Sequence, residues 1–316
     1  HVAPSGALGA AIGWNATAVA LAAAAGPSLG ALIVSGAGWP WLFAVNLPVG
    51  AAVLWAGRTL PRIVGSRRRL DLISVALNAA VFVGLVAGAD LAPKHPWIAV
   101  ALISVVIAAL LMLIRREAPK AAPLVPLDLL SGYAFRISVI ASVCCFIGQA
   151  AALVAVPFQL QHGFALTPVM AGLYMTAWPL AVALAAQAAG WLAARISTAW
   201  LCALGGALMS TGLAGLAVIP TALGAPATAP LLALCGLGFG LFQTPNNRNM
   251  LMAAPLERSG AAGGMQGAAR LTGQTTGGVL MGLLFTALPV TSAPRLGLAL
   301  AACAALAAAV VSLLRA

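Results

Sequence analysis

Stretches of about 20 apolar residues recur along almost the whole chain, and they limit the possible folds more than any other feature. A helix needs about 20 mostly apolar residues to cross the roughly 30 Å hydrocarbon core of a bilayer. Ten stretches meet this rule, at residues 9–34, 40–60, 71–91, 97–114, 134–157, 168–193, 198–219, 229–251, 261–287 and 296–314. The sequence therefore predicts an all-α polytopic membrane protein with ten transmembrane helices.

The composition agrees with a lipid environment. Hydrophobic residues make up 62% of the 316 positions and charged residues only 7%, whereas soluble domains carry roughly 25% charged residues. The net charge of +11 would suggest nucleic acid in a soluble protein. Here the basic residues lie in short loops between apolar runs, so we predict a lipid bilayer and no nucleic-acid partner.

Residue types that carry enzyme chemistry show no recognisable pattern. The five cysteines lie inside apolar stretches without a C-x-x-C spacing, and the three histidines are scattered. The spans contain no Ser/Lys pair, no catalytic pair of acids and no G-x-S-x-G elbow. We therefore expect no enzyme activity, no bound metal and no cofactor.

The basic residues also predict the orientation. Twelve of the sixteen Lys and Arg residues lie in loops on one side of the predicted spans, and only Lys94 and Arg295 lie on the other. Arg248 and Arg270 fall inside spans. Since cytoplasmic loops are enriched in Lys and Arg, the split predicts a multi-pass protein of the bacterial inner membrane with both chain ends in the cytoplasm.

Small residues follow a defined spacing in the first predicted span, with Gly13, Ala22, Gly26, Pro27 and Gly30 in order. Glycines let a neighbouring helix approach closely, and a proline bends its helix. The spacing resembles the antiporter signature of the major facilitator superfamily, G-x8-G-x3-G-P-x2-G-G. Alanine replaces glycine at Ala22 and at Ala31.

Further segments are similar to the fourteen-span drug/proton antiporter branch of that superfamily. Residues 38–50 (GWPWLFAVNLPVG) resemble its W-R-W-I-F-x-I-N-x-P-I-G stretch, although Pro40 replaces the arginine. Spans 71–91 and 97–114 match the two helices that this branch inserts. Residues 190–195 resemble a worn G-x-L-A-D-R loop, with Ala194 in place of the acid, and residues 236–247 and 258–278 resemble the penultimate pair of helices.

The resemblance implies a domain organisation. It implies the major facilitator fold without its first four helices, so we expect four further spans upstream of His1. The expected parts are the last two helices of the N-terminal bundle, the two inserted helices, a cytoplasmic linker and the C-terminal six-helix bundle, at residues 1–60, 61–115, 116–133 and 134–316.

Polar side chains within the spans form two groups. Gln266, Arg270 and Gln274 follow an i, i+4, i+8 spacing, while Gln243, Asn246 and Asn247 surround Pro245. Since a charged group at membrane depth normally faces a cavity or a partner, both groups are candidates for the transport path or the bundle interface. Alternatively, Arg270 extends to the cytoplasmic surface, and single amides form interhelical hydrogen bonds.

The resemblance implies export of small amphipathic molecules in exchange for protons, by alternating access. A periplasmic adaptor is a further partner that it allows. No proton-coupling residue is predicted, because the five acids, Asp71, Asp90, Glu117, Asp128 and Glu257, all fall at or near span ends. A narrow-specificity exporter, an importer on the same fold and an inactive fragment remain alternatives, and the DNA upstream of His1 would help to separate them.

Overall fold

The computed structural model describes residues 22, 25–26, 29–58, 71–92, 95–117, 127–193, 195–255 and 258–315. Within these ranges the chain is helical and contains no strand. The all-α fold class is therefore confirmed for the described residues. Gly13 and Pro27 of the antiporter signature lie outside them.

Before residue 118 the helices are α1 (residues 29–37), α2 (Pro40–Ala44), α3 (Asn46–Gly57), α4 (Leu72–Leu91) and α5 (Pro96–Glu117). After a short 3-10 turn at Leu127–Ser131, α6 (Tyr133–Phe158) continues into a π turn at Gln159–Gly163. The remaining helices are α7 (Pro168–Met175), α8 (Ala177–Leu192), α9 (Thr198–Val218), α10 (Thr228–Met252), α11 (Ser259–Ala287) and α12 (Ala293–Leu313).

Seven helical segments of the described residues are long and apolar enough to cross a membrane. They are Pro40–Gly57, Pro96–Glu117, Tyr133–Gly163, Pro168–Leu192, Thr198–Val218, Ala225–Met252 and Ala293–Leu313. In α4 the apolar stretch is shorter, at Leu72–Gly88, and α11 carries Gln266, Arg270 and Gln274 together with hydroxyl residues and many glycines. The predicted span 9–34 lies mostly outside the described residues. A multi-pass membrane architecture is thus supported, and the count of ten stays a prediction.

Helices α4 and α5 form an antiparallel hairpin whose ends are joined by polar contacts. Asp71 caps α4, because its carboxylate accepts hydrogen bonds from the backbone N–H groups of Ile73 and Ser74. The same carboxylate pairs with Arg116 in the last turn of α5 at 3.0 Å. The Ser74 hydroxyl also donates to the buried carboxylate of Glu117. These contacts fix the register of the hairpin at one end.

Helices α6 to α12 pack around a main buried core, and a second, smaller buried cluster joins α6, α10 and α11. Small residues lie where the helices cross: Gly148 of α6 contacts the backbone of α12, and Gly205 of α9 contacts the backbone of α10. In lipid, helices associate through such close packing rather than through a hydrophobic driving force. The result is a closely packed bundle. One of its outer helices, α11, carries the predicted site residues Gln266, Arg270 and Gln274.

Candidate functional site

Helix α11 has two chemically different sides. On one side, Gly273 and Gly277 pack against the backbone of α6, with Ala262 and Ala269 buried nearby along the helix. On the other side, a Cβ atom added to Gly264, Gly267, Gly278 or Gly282 would meet no atom within 4 Å. Since a helix repeats every 3.6 residues, these four glycines share one side, which we call the open side of α11.

Three of the polar residues of α11 wind from its packed side toward its open side, namely Gln266, Arg270 and Gln274. Gln266 donates a hydrogen bond through Nε2 to the backbone carbonyl of Asn247 on α10, at 2.7 Å. Each step of four residues rotates the helix by about 40°, which turns Arg270 and Gln274 progressively away. Arg270 is exposed and Gln274 half-buried, and neither forms a hydrogen bond or ion pair with the described residues. These two side chains are therefore available to a ligand or a further helix.

The amides of α10 divide in a similar way. Asn246 is buried, donates to the Ser138 carbonyl at 3.1 Å and accepts from Nη1 of Arg315 at 3.0 Å. Gln243 is half-buried and has no hydrogen bond among the described residues. Thus Asn246 joins α6, α10 and the end of α12, whereas Gln243 keeps its amide free for other contacts.

Sequence reasoning did not identify Arg315 as part of this network, because the residue follows the last predicted span and was assigned to a cytoplasmic loop. In the structure its guanidinium folds back, donates to the Ser138 hydroxyl and is buried at Nε and Nη2. The available clue was its position directly after an apolar helix, where a long basic side chain can bend toward polar helix ends.

Most acids of the described residues have a protein partner. Beyond the contacts of Asp71 and Glu117, Asp128 pairs with Arg258 at 2.8 Å. Asp90 differs, since it forms no hydrogen bond or ion pair with the described residues and lines a cleft between α4 and α11. Among the described residues no group of three or more His, Cys, Asp or Glu side chains could hold a metal ion.

The described part of the antiporter signature lies in a sparsely packed region. Gly26 and Gly30 are helical, and a Cβ added to Gly26 would meet nothing within 4 Å. At Gly30 it would touch only Leu42 of α2, at 3.9 Å. The close helix approach that the glycines were predicted to allow is therefore absent among the described residues, and their role stays a prediction.

Several known transporters are similar to this chain. The "Uncharacterized transporter YebQ" of Escherichia coli is 41% identical over 88% of this chain and 62% of its own length. The "Riboflavin transporter RibZ" of Clostridioides difficile is 28% identical over 82% and 57%, respectively. The "Tetracenomycin C resistance and export protein" of Streptomyces glaucescens is 27% identical over 89% and 53%. The chain thus spans between half and two thirds of the length of these relatives.

Residues 1–278 match the family described as the Major Facilitator Superfamily, which covers the described helices from α1 into α11. Proteins of this family are generally transporters rather than enzymes, and the helices described above agree with a multi-pass protein of the inner membrane. With this match and the 41% identical transporter, the chain belongs to the major facilitator superfamily.

Proposed function

We propose that this protein exports small amphipathic molecules in exchange for protons. The open side of α11 is the observation that carries the proposal. One side of α11 is fixed to α6 through Gly273 and Gly277, and the opposite side presents glycines. Between the two sides lie two polar residues that have no partner among the described residues. A helix with one packed side and one open side can lie at the boundary between its own bundle and a second bundle that moves against it.

The packing of the bundle supports alternating access. Gly148 and Gly205 bring backbones so close that a single added carbon at either position would overlap the neighbouring helix. Such interfaces resist sliding, because a densely packed interior transmits strain instead of absorbing it. In our proposal, α6 to α12 rock as one unit against the preceding helices, and substrate is held at the midplane between them.

Arg270 and Gln274 are the residues we propose for the transport path or the bundle interface. Both lie between the packed side and the open side of α11 and lack partners among the described residues. An arginine at membrane depth is costly unless it faces a cavity or a partner. Gln243 of α10 is a further candidate, whereas Gln266, Asn246 and the backbone of Asn247 contribute through bonds within the bundle.

Export is further supported by the antiporter-like glycine spacing and by the relative named as a tetracenomycin C resistance and export protein. The proposal includes the fourteen-span arrangement, the domain limits near residues 60, 115 and 133, and cytoplasmic chain ends. An interaction with a periplasmic adaptor is an optional part of it.

A second candidate function is transport of one narrow class of substrate, including import. The similarity to the riboflavin transporter RibZ favours it. The same helices would serve either direction, because alternating access is reversible.

Everted membrane vesicles from cells that express the protein from its full reading frame would test these alternatives. An imposed proton gradient, acid inside, should drive accumulation of amphipathic dyes, and a protonophore should abolish it. Vesicles that carry Arg270→Ala should accumulate far less dye at an equal protein level. Dye accumulation that is indifferent to the gradient would refute proton exchange, and gradient-dependent movement of riboflavin alone would favour the second candidate.

A further inference from the structure

Two arginines lie at the same end of helices α8 and α10 and have no partner among the described residues. Arg195 follows the last turn of α8, and Arg248 lies shortly before the end of α10 at Met252. Neither side chain forms a hydrogen bond or an ion pair with the described residues. The hydroxyl of Thr198, at the start of α9, donates to Oδ1 of Asn249 at 2.9 Å. This bond ties the connection that carries Arg195 to the turn of α10 that carries Arg248.

Exposed tryptophans mark the level of the lipid headgroups at this end. Trp191 in the last turn of α8 is 60% exposed, and Trp200 in the first turn of α9 is 59% exposed. Exposed tryptophans of membrane helices concentrate where the hydrocarbon core meets the headgroups. The Arg195 guanidinium lies over the Trp191 ring, 4.0 Å from its centroid. Since the ring face attracts the cation, the contact holds the positive charge of Arg195 at the headgroup level.

An apolar strip along α10 leads to Arg248. Leu237, Leu241, Thr244 and Arg248 follow one another at steps of four, three and four residues, so they share one side of a helix with 3.6 residues per turn. Leu237 and Arg248 are exposed, and the two residues between them are half-buried. Helices α8 and α9 pack on the two flanks of α10, which leaves this strip uncovered between them.

The sequence of this part of the bundle offers the two arginines no acid. Between Asp128 and Glu257 the chain contains no Asp or Glu. Asp128 itself already pairs with Arg258 at 2.8 Å, and the other described acids lie on the α4–α5 hairpin. An arginine on the lipid-facing side of a helix is costly unless its charge meets a partner or the headgroups. The two positive charges therefore need an anion from outside the described residues.

We propose that Trp191, Arg195 and Arg248 form a basic corner that binds the headgroup of an anionic phospholipid. Guanidinium groups donate paired hydrogen bonds to phosphate oxygens, and basic pockets between membrane helices hold anionic headgroups. One acyl chain of the lipid lies along the apolar strip of α10, which a free phosphate ion would leave uncovered. An anionic lipid binds better than a zwitterionic one, because the corner has no acid for a positively charged headgroup.

The lipid is distinct from any transported molecule, since the basic corner and the strip lie on the lipid-facing side of α10. The opposite side of that helix packs on α6, where the rings of Phe239 and Phe146 are 5.5 Å apart. Only the choice of leaflet rests on the orientation proposed above, which places this end of the bundle at the cytoplasmic surface. Binding of the lipid rests neither on that orientation nor on export.

Lipid binding to the protein expressed from its full reading frame tests the two charges. The protein is purified in non-ionic detergent and titrated with phosphatidylglycerol or with phosphatidylcholine, and the bound lipid is measured by native mass spectrometry. Arg195→Gln and Arg248→Gln should each weaken phosphatidylglycerol binding about fivefold, which corresponds to about 1 kcal/mol for each basic residue. The unmodified protein should prefer phosphatidylglycerol, and the double variant should lose this preference.

Arg136→Gln is the matched control. Arg136 also lies over an aromatic ring, that of Tyr133 at 5.8 Å, but its guanidinium already donates to the Leu130 carbonyl. This variant should keep the preference for phosphatidylglycerol. An equal preference in the double variant and the unmodified protein would overturn the proposal, and so would an equal loss in the Arg136 variant. Displacement of the lipid by equimolar inorganic phosphate would assign the corner to a free anion and reject the lipid.

The aromatic ring gives an independent test. Trp191→Ala removes the surface that holds Arg195 and should weaken phosphatidylglycerol binding, whereas Trp191→Phe should retain most of it. Trp97 is 85% exposed at the start of α5, away from the corner, and Trp97→Ala should leave binding unchanged. Equal binding by Trp191→Ala and the unmodified protein would contradict this placement of the headgroup. Because no gradient is imposed, failure of export in vesicles would leave the binding result intact.

Discussion

At the scale of single residues, burial separates structural amides from available ones. Asn246 is 1% exposed and forms hydrogen bonds with two neighbours at once, the Ser138 carbonyl and Nη1 of Arg315. An unpaired polar group is costly in a bundle of this kind, because lipid offers no hydrogen bonds. Asn246 therefore stabilises the place where α6, α10 and the end of α12 meet. Gln243, one turn earlier, forms no hydrogen bond with the described residues.

Replacing Asn246 by alanine should destabilise the bundle. The change removes a second hydrogen bond to the Ser138 carbonyl and leaves a further N–H of buried Arg315 without its acceptor, at a cost of about 1 to 2 kcal/mol. Thermal unfolding in detergent, followed by loss of the monodisperse peak, should occur at a lower temperature. Gln243→Ala serves as the control and should unfold near the temperature of the unmodified chain. If both variants unfold together, Asn246 has no special structural role.

Arg270→Ala should reduce transport by about tenfold or more, which corresponds to about 1.4 kcal/mol. The reason is that the exposed guanidinium lacks a partner in the described residues, so its contribution must come from substrate or from another bundle. Arg270→Lys should rescue poorly if the planar fork matters. Arg136 lies over the Tyr133 ring at 5.8 Å, outside the family-like segments, and its alanine variant is the control that should keep transport. If Arg270→Ala exports normally, the remaining explanation for Arg270 is that its side chain extends to the cytoplasmic surface.

At the scale of elements, glycine positions decide which helices can cross closely. Gly205 of α9 and Gly238 of α10 face each other, and the main chains are near enough that neither position has room for a side chain. Gly190 on α8 has open space instead. All three positions are glycine in the sequence, so the difference in the space around them depends on the packing alone.

Gly205→Ala should destabilise the chain strongly, because the new Cβ would lie 2.6 Å from the Gly238 carbonyl oxygen and 2.6 Å from the Phe242 nitrogen. Backbone atoms on the partner helix cannot rotate away, so overpacking should cost about 1 to 3 kcal/mol. Gly190→Ala should keep or slightly raise stability, since alanine favours helix by up to about 1 kcal/mol over glycine. Thermal unfolding of the two variants provides the measurement, and equal stability would contradict this packing.

The sequence predicted most helices well and their internal breaks poorly. The predicted span 198–219 corresponds to α9 at Thr198–Val218, because Ser197 caps its start and Pro220 follows its end. In contrast, the predicted span 168–193 consists of α7 and α8, separated at Thr176. The π turn at Gln159–Gly163 was also unexpected. Hydropathy ranks side chains by polarity. It does not predict which backbone carbonyl accepts a hydrogen bond from each backbone N–H, and this pairing distinguishes a π turn or a helix break from a regular α-helix.

At the scale of the whole molecule, the sites depend on contacts between different helices. The i, i+4, i+8 spacing indicated that Gln266, Arg270 and Gln274 share a region of α11, and the spacing alone could not show that Gln266 bonds to α10. Likewise Asp90 was predicted at the end of a span, but its cleft exists only because α4 packs beside α11. Helix adjacency of this kind results from packing and is not contained in any local pattern.

The orientation of the chain in the membrane is the last prediction, and it rests on the twelve-to-two split of basic residues. A cysteine at Arg68 should face the cytoplasm, and a cysteine at Lys94 should face the opposite side. The five native cysteines would first be replaced; Cys145, Cys202 and Cys235 are buried, so alanine or serine there needs a check of folding. An impermeant maleimide should label the cysteine at Lys94 in right-side-out vesicles and the cysteine at Arg68 in inverted ones.

Because α4 begins shortly after Arg68 and ends shortly before Lys94, a single membrane crossing separates the two sites. Labelling of both sites from one side would mean that α4 does not cross the bilayer, and the ten-span arrangement would then be wrong.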